Sequence, residues 1–104
     1  MAEQRQQQRF DDPPIDVDGV WTAVYNISVG GMCIGTLDPL KIGWRRQFKL
    51  VDRQTRKDWT ILGEIVWVTP VDNEMTRVGV RWLEVAPETQ AWLQEQIQAA
   101  EDGK

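Results

Sequence analysis

The sequence predicts a mainly β fold, a small antiparallel β-barrel with one α-helix at its C-terminal end. Two observations carry this reading. Between residues 15 and 83, short β-rich runs alternate with Gly, Pro, Asp and Asn turn signals. After residue 87 the apolar period lengthens to that of a helix, with Trp92, Leu93, Ile97 and Ala100 on one stripe. A chain of 104 residues has room for one core and one domain.

Taken in order, residues 1–12 read as a flexible N-terminal arm and 13–104 as the barrel with its helix. The arm is polar and rich in Gln, with no apolar period. Asp11-Asp12-Pro13-Pro14 interrupts regular structure, because proline removes a backbone donor and restricts the residue before it. Ile15 to Val17 reads as a brief strand. Asp18-Gly19 predicts a two-residue hairpin turn into a β-rich run, Val20 to Tyr25. Met32 to Thr36 forms the next strand, and Asp38-Pro39 and Gly43 punctuate a connection. Arg45 to Val51 alternates polar and apolar, as a half-buried strand does. The charged run 52–58 is a solvated turn. Trp59 to Thr69 is the strongest strand signal, with Gly63 marking a bulge or bend and Pro70 ending it. Arg77 to Leu83 is the last strand. Pro87 suits the first helical position and Glu88 the positive end of the helix dipole, so the helix spans about Pro87 to Glu101.

Composition excludes several functions. The chain has one cysteine and no histidine. An internal disulfide, the usual zinc ligand sets and Ser-His or Cys-His catalysis are therefore absent. Asp16, Glu64 and Glu84 suggest no carboxylate pairing, so general acid–base chemistry has no support, and no enzyme is expected. Cys33, between Met32 and Ile34, reads as an inert core thiol. No apolar run approaches the ~20 residues of a membrane span, and no signal peptide pattern opens the chain, so a cytoplasmic protein is expected. A net charge of −4 argues against binding DNA or RNA through bulk positive charge. Residues 1–9 nevertheless carry Arg5, Arg9 and a single acid, Glu3. A basic arm on an acidic body favours a small anionic ligand.

The candidate site combines that arm with Asn26-Ile27-Ser28-Val29-Gly30-Gly31. Arginine offers a planar fork of donors that fits phosphate oxygens or the O6/N7 edge of guanine, and its flat face stacks on purines. Asn26 and Ser28, two apart on a strand, share one face. Gly30 and Gly31 permit close backbone approach and positive φ.

Arg5-Gln6-Gln7-Gln8-Arg9 followed by Asn26, Ser28 and Gly31 resembles the Arg-x-x-x-Arg and Asp/Asn-x-Ser-x-x-Gly motif of the PilZ domain, the bacterial receptor module for cyclic di-GMP. Gly63-Glu64-Ile65-Val66-Trp67-Val68 and Val78-Gly79-Val80-Arg81-Trp82-Leu83 are similar to the last two strands of that family, so the resemblance covers nearly the whole chain. It implies a six-stranded antiparallel split barrel with a C-terminal helix. It also implies a non-enzymatic receptor that uses no cofactor. Arg5 and Arg9 would hold guanine edges and phosphates, Asn26 and Ser28 would hydrogen-bond the ligand, and Gly30 and Gly31 would let it approach. Trp67 either touches the ligand or packs in the core. A second Arg-x-x-x-Arg, at Arg77 and Arg81, reads as the solvent face of a strand. The bare pair Arg45-Arg46 after Trp44 reads as an exposed strand start.

Three functions follow from these residues. The first is a cyclic di-GMP receptor whose arm orders on binding and whose altered surface is read by a protein partner in motility, biofilm or polysaccharide control. The second is a protein–protein adaptor on the same fold that does not depend on cyclic di-GMP. The third is a binder of single-stranded nucleic acid through stacked aromatics. One ligand or an intercalated pair, and monomer or dimer, all fit the sequence.

Overall fold

The computed structural model describes residues 10–11, 13–18, 21–72 and 74–102. Seven strands and one helix follow in the order β1 (Phe10–Asp11), β2 (Ile15–Val17), β3 (Trp21–Ser28), β4 (Gly31–Thr36), β5 (Arg45–Asp52), β6 (Asp58–Pro70), β7 (Thr76–Glu84) and α1 (Pro87–Asp102). All pair antiparallel in one sheet of order β1-β3-β4-β7-β6-β5-β2.

Chain reach dictates the shape of this sheet. β1 and β2 lie on opposite edges, yet only residues 12–14 separate them. That connection spans at most about 14 Å. A flat sheet of this width would hold its edge strands about 29 Å apart. The sheet therefore curls until its edges come together, as in a split barrel. Arg53, just after β5, anchors the connection into β2: its backbone N–H donates to the Pro14 carbonyl at 2.9 Å, and its guanidinium donates to the Pro13 carbonyl at 3.3 Å and pairs with Asp16 at 3.6 Å.

The seam corrects two sequence expectations. A strand does form in the Asp-Asp-Pro-Pro region, because Phe10–Asp11 pairs with Ile27 and Asn26 before the prolines intervene. This short strand raises the count from the expected six to seven. Asp18-Gly19 does not join a hairpin, since β2 pairs with β5 and the Asp18 N–H donates to the Lys49 carbonyl at 2.9 Å.

The inner face holds the core. One row across the sheet runs Phe10, Ile27, Met32, Val80, Ile65, and the next runs Val24, Ile34, Val78, Val68. Phe48, Leu50 and Ile61 from β5 and β6 complete it. Gly63 leaves room for this packing, because a Cβ there would lie 2.6 Å from a Val80 methyl. As expected, a register shift also falls at Leu62/Gly63. Helix α1 buries Trp92, Leu93 and Ile97, with the Trp92 ring stacked on Trp59 at 5.2 Å. Among the described residues, no helix is long and apolar enough to cross a membrane.

Candidate functional site

The turn between β3 and β4 is built largely by its own residues. Ser28 faces Gly31 across the hairpin, with Val29 and Gly30 at the tip. The Ser28 hydroxyl accepts from the Gly30 N–H at 3.3 Å and donates to the Gly31 carbonyl at 3.4 Å. Trp82 clamps the same turn from β7: its indole N–H donates to the Ser28 carbonyl at 3.2 Å and its backbone N–H to the Gly30 carbonyl at 2.9 Å.

The expected positive φ at Gly30 and Gly31 does not occur; among the described glycines, Gly43 alone has it, at φ 94°. Gly31 serves a different need. A Cβ at this position would lie 2.0 Å from the Val80 carbonyl oxygen, so glycine permits β4 and β7 to come close enough to pair.

Register fixes what stands beside the turn on the outer face. Residues directly opposite across a ladder share a face. One row runs Asp11, Asn26, Cys33, Gly79, Trp67, and its neighbour runs Ser28, Gly31, Arg81, Glu64, Arg45. On the other flank lie Gly35 and Arg77. Gly31, Cys33, Gly35 and Gly79 make a floor almost without side chains. Larger groups rise around it. The Trp67 ring lies over Gly79, whose added Cβ would meet the indole nitrogen at 2.1 Å. The Tyr25 ring lies over Gly35, and the Arg77 guanidinium stands 4.4 Å above the Tyr25 ring centroid. Arg81 donates to Glu64 at 2.5 Å.

The structure thus brings Asn26, Ser28, Gly31 and Trp67 onto one face, with Gly30 at the rim. Arg5 and Arg9 lie outside the described residues. The first described residue after them, Phe10, is paired with Ile27, one position from Ser28.

Two readings change. Cys33 is no core thiol: Met32 and Ile34 point inward, so strand alternation turns Cys33, half-buried, onto the floor of the outer face. Trp67 is 40% exposed, because the register shift between Ile65 and Trp67 turns both Val66 and Trp67 outward. Sequence reasoning also missed the Arg81–Glu64 pair. Its only signal was Arg77-x-x-x-Arg81, which by strand alternation places both arginines beside Gly79.

A groove of about 620 Å³ lies on the other side of the turn, between Val29 and α1. Its described lining includes Glu95, Gln94 and Gln98 beside the apolar Val29, Ala91 and Ile97. Among the described residues no cluster of potential metal ligands exists.

A curled antiparallel sheet closed by a C-terminal helix, with a glycine-floored outer face beside the Asn26–Gly31 turn, defines the class of small split β-barrels. The PilZ domain family model matches residues 3–99, and the chain belongs to that family. Solved structures agree on the fold. The Bacillus subtilis inhibitor of motility MotI/DgrA superposes with a TM-score of 0.80 at 20% identity, over 99% of this chain and 53% of that one. Escherichia coli YcgR in complex with c-di-GMP gives 0.76 at 22% identity, over 96% of this chain and 47% of that one. The PilZ domain of YcgR with c-di-GMP gives 0.74 at 22% identity, over 97% and 94%. The chain therefore spans about half the length of the MotI/DgrA and full YcgR chains and nearly all of the isolated PilZ domain. No curated protein sequence matches the chain.

Proposed function

We propose that this chain is a non-enzymatic cyclic di-GMP receptor. The observation that carries the reading is the shared outer face of Asn26, Ser28, Gly31 and Trp67, beside the point where the arm with Arg5 and Arg9 joins the sheet. The family membership and the c-di-GMP complexes of the similar YcgR structures support it.

The chemistry is that of a dianion with two guanines. Arg5 and Arg9 supply forked donors to phosphate and to the O6/N7 edge, and they stack on the purine. Asn26 supplies an amide that both donates and accepts. The Ser28 hydroxyl holds the turn beside which the ligand would lie. Trp67 offers a ring face at the far end of the Asn26 row. Micromolar affinity needs ~8 kcal/mol, and hydrogen bonds to charged groups contribute roughly 1.5–3 kcal/mol each, so two arginines and a few polar partners suffice.

The output is a surface change read by a protein partner, with motility, biofilm or polysaccharide control as its field. Leu37, Ile42, Trp44 and Val71 are exposed apolar residues of the kind a partner covers. The same residues favour the second reading, a ligand-independent adaptor.

Titration calorimetry with cyclic di-GMP separates the two. The receptor predicts saturable micromolar binding by the wild type, lost or weakened at least tenfold in both Arg5→Ala and Arg9→Ala. A folded wild type that gives no heat at high ligand concentration leaves the adaptor.

A further inference from the structure

Arg77 and Arg81 form an Arg-x-x-x-Arg that the receptor site has not used. Their surroundings differ. Arg77 is committed to the Tyr25 ring at 4.4 Å. Arg81 stands directly opposite Gly31, in the row that continues to Ser28. Gly31, which has no side chain, stands between Ser28 and Arg81, and the two flanking Cα positions lie about two strand spacings apart, roughly 10 Å. That is the width of a purine with its phosphate.

Arg81 is paired but accessible. Its side chain is 61% exposed, while its partner Glu64 is only 19% exposed. Glu64 lies on the far side of Arg81 from Gly31, so it draws the guanidinium away from the turn. A carboxylate on a face that receives a dianion repels the ligand unless it is neutralised. Arg81 neutralises Glu64, and its remaining guanidinium donors are available to a second anion.

We propose that Arg81 is a third ligand arginine, stored on Glu64, and that the balance between Glu64 and the ligand for this guanidinium sets affinity. The inference rests on the receptor reading. When ligand arrives, Arg81 extends over Gly31 to a phosphate or to the guanine O6/N7 edge, and Glu64 keeps part of its contact. Arg77 does not share the role, because the Tyr25 ring holds it.

The test is calorimetry with cyclic di-GMP on the wild type, Arg81→Ala, Arg77→Ala, Arg81→Lys and Glu64→Gln, with thermal midpoints measured for each. Arg77 and Arg81 are exposed, so their variants stay folded, and the thermal midpoint reports any loss in Glu64→Gln, whose carboxylate is largely covered. The expected result is a loss of about ten- to a hundredfold for Arg81→Ala. Arg77→Ala, which removes the same charge from the same face, changes affinity less than about threefold. Arg81→Lys recovers only part of the affinity, since a point charge lacks the fork. Glu64→Gln binds about three- to tenfold more tightly, because the arginine is released. Wild-type binding with unchanged affinity in Arg81→Ala, or equal losses in Arg81→Ala and Arg77→Ala, would overturn the inference and leave the receptor intact. No binding by the folded wild type would overturn the receptor reading and this inference with it.

Discussion

Replacing Gly31 by alanine separates a structural from a ligand-binding reason for the motif glycine. The added methyl would lie 2.0 Å from the Val80 carbonyl oxygen, 3.1 Å from the Val80 carbonyl carbon and 3.2 Å from the Arg81 Cα. Atoms of this kind rest about 3.5–4.0 Å apart, so β4 must retreat from β7 by more than ~1 Å. All of the close atoms are backbone, so no rotamer relieves the clash. The retreat stretches the ladder at Gly31–Arg81 and the Trp82 N–H bond to Gly30, two contacts near ~1 kcal/mol each. Overpacking adds about 1–3 kcal/mol. Alanine returns roughly 0.5–1 kcal/mol by restricting the unfolded chain. The net loss is about 2–4 kcal/mol. With a urea slope of about 1–3 kcal/mol/M, the midpoint falls by roughly 1–4 M. A loss below about 1 kcal/mol at unchanged slope would refute the close-approach reasoning and return Gly31 to a purely ligand-facing role.

Three further outcomes are expected. Trp67→Ala lowers cyclic di-GMP affinity about tenfold, as loss of one aromatic stack does, while the thermal midpoint falls only a few degrees because the ring is 40% exposed; unchanged affinity assigns the ring to covering Gly79. The backbone N–H groups of Met75 and Glu74 hold the Asp72 carboxyl below its ordinary range. Its stabilising effect is therefore present above that range and lost as pH falls through it to the lowered value. Asp72→Ala is then destabilised at neutral pH, and urea midpoints of variant and wild type converge in acid; a gap independent of pH contradicts this. Arg56 has φ 68°, a conformation that costs an L side chain roughly 1–2 kcal/mol against roughly 0.5–1 kcal/mol of unfolded-chain freedom added by glycine, so Arg56→Gly raises the thermal midpoint by a few degrees at most, and a fall would show that the Arg56 side chain matters more than its backbone.

Features that depend on neighbours in sequence were legible. The helix begins at Pro87, and each expected strand from Arg45 onward lies within a slightly longer observed one. Features that depend on distant partners were not. Phe10–Asp11 has too little local pattern to announce a strand, and Ile27 and Asn26 supply its reason for existing. Asp18-Gly19 carries a strong turn signal, yet the ladder to β5 governs its neighbours. Strict alternation from Ile65 would turn Trp67 inward; a bulge, invisible in the sequence, turns it outward. Cys33 was the reverse case, since alternation already placed it opposite Met32 and Ile34 and its apolar neighbours masked that. In the candidate site, the order of Asn26, Ser28 and Gly31 was readable. The row from Ser28 through Gly31 to Arg81 and Glu64 needed the register of four strands.

The seam has a kinetic consequence. β3 with β4, β5 with β6, and β6 with β7 are joined by short connections and form from nearby residues, whereas β1 and β2 find their partners only across longer loops. Loop closure of that kind comes late in folding, and the contacts made last are the first to open. Opening is therefore expected first at β1, which is only two residues long. If the receptor reading holds, hydrogen exchange at Phe10 and Asp11 slows when cyclic di-GMP is added, and unchanged exchange at saturating ligand would count against a link between β1 and the ligand.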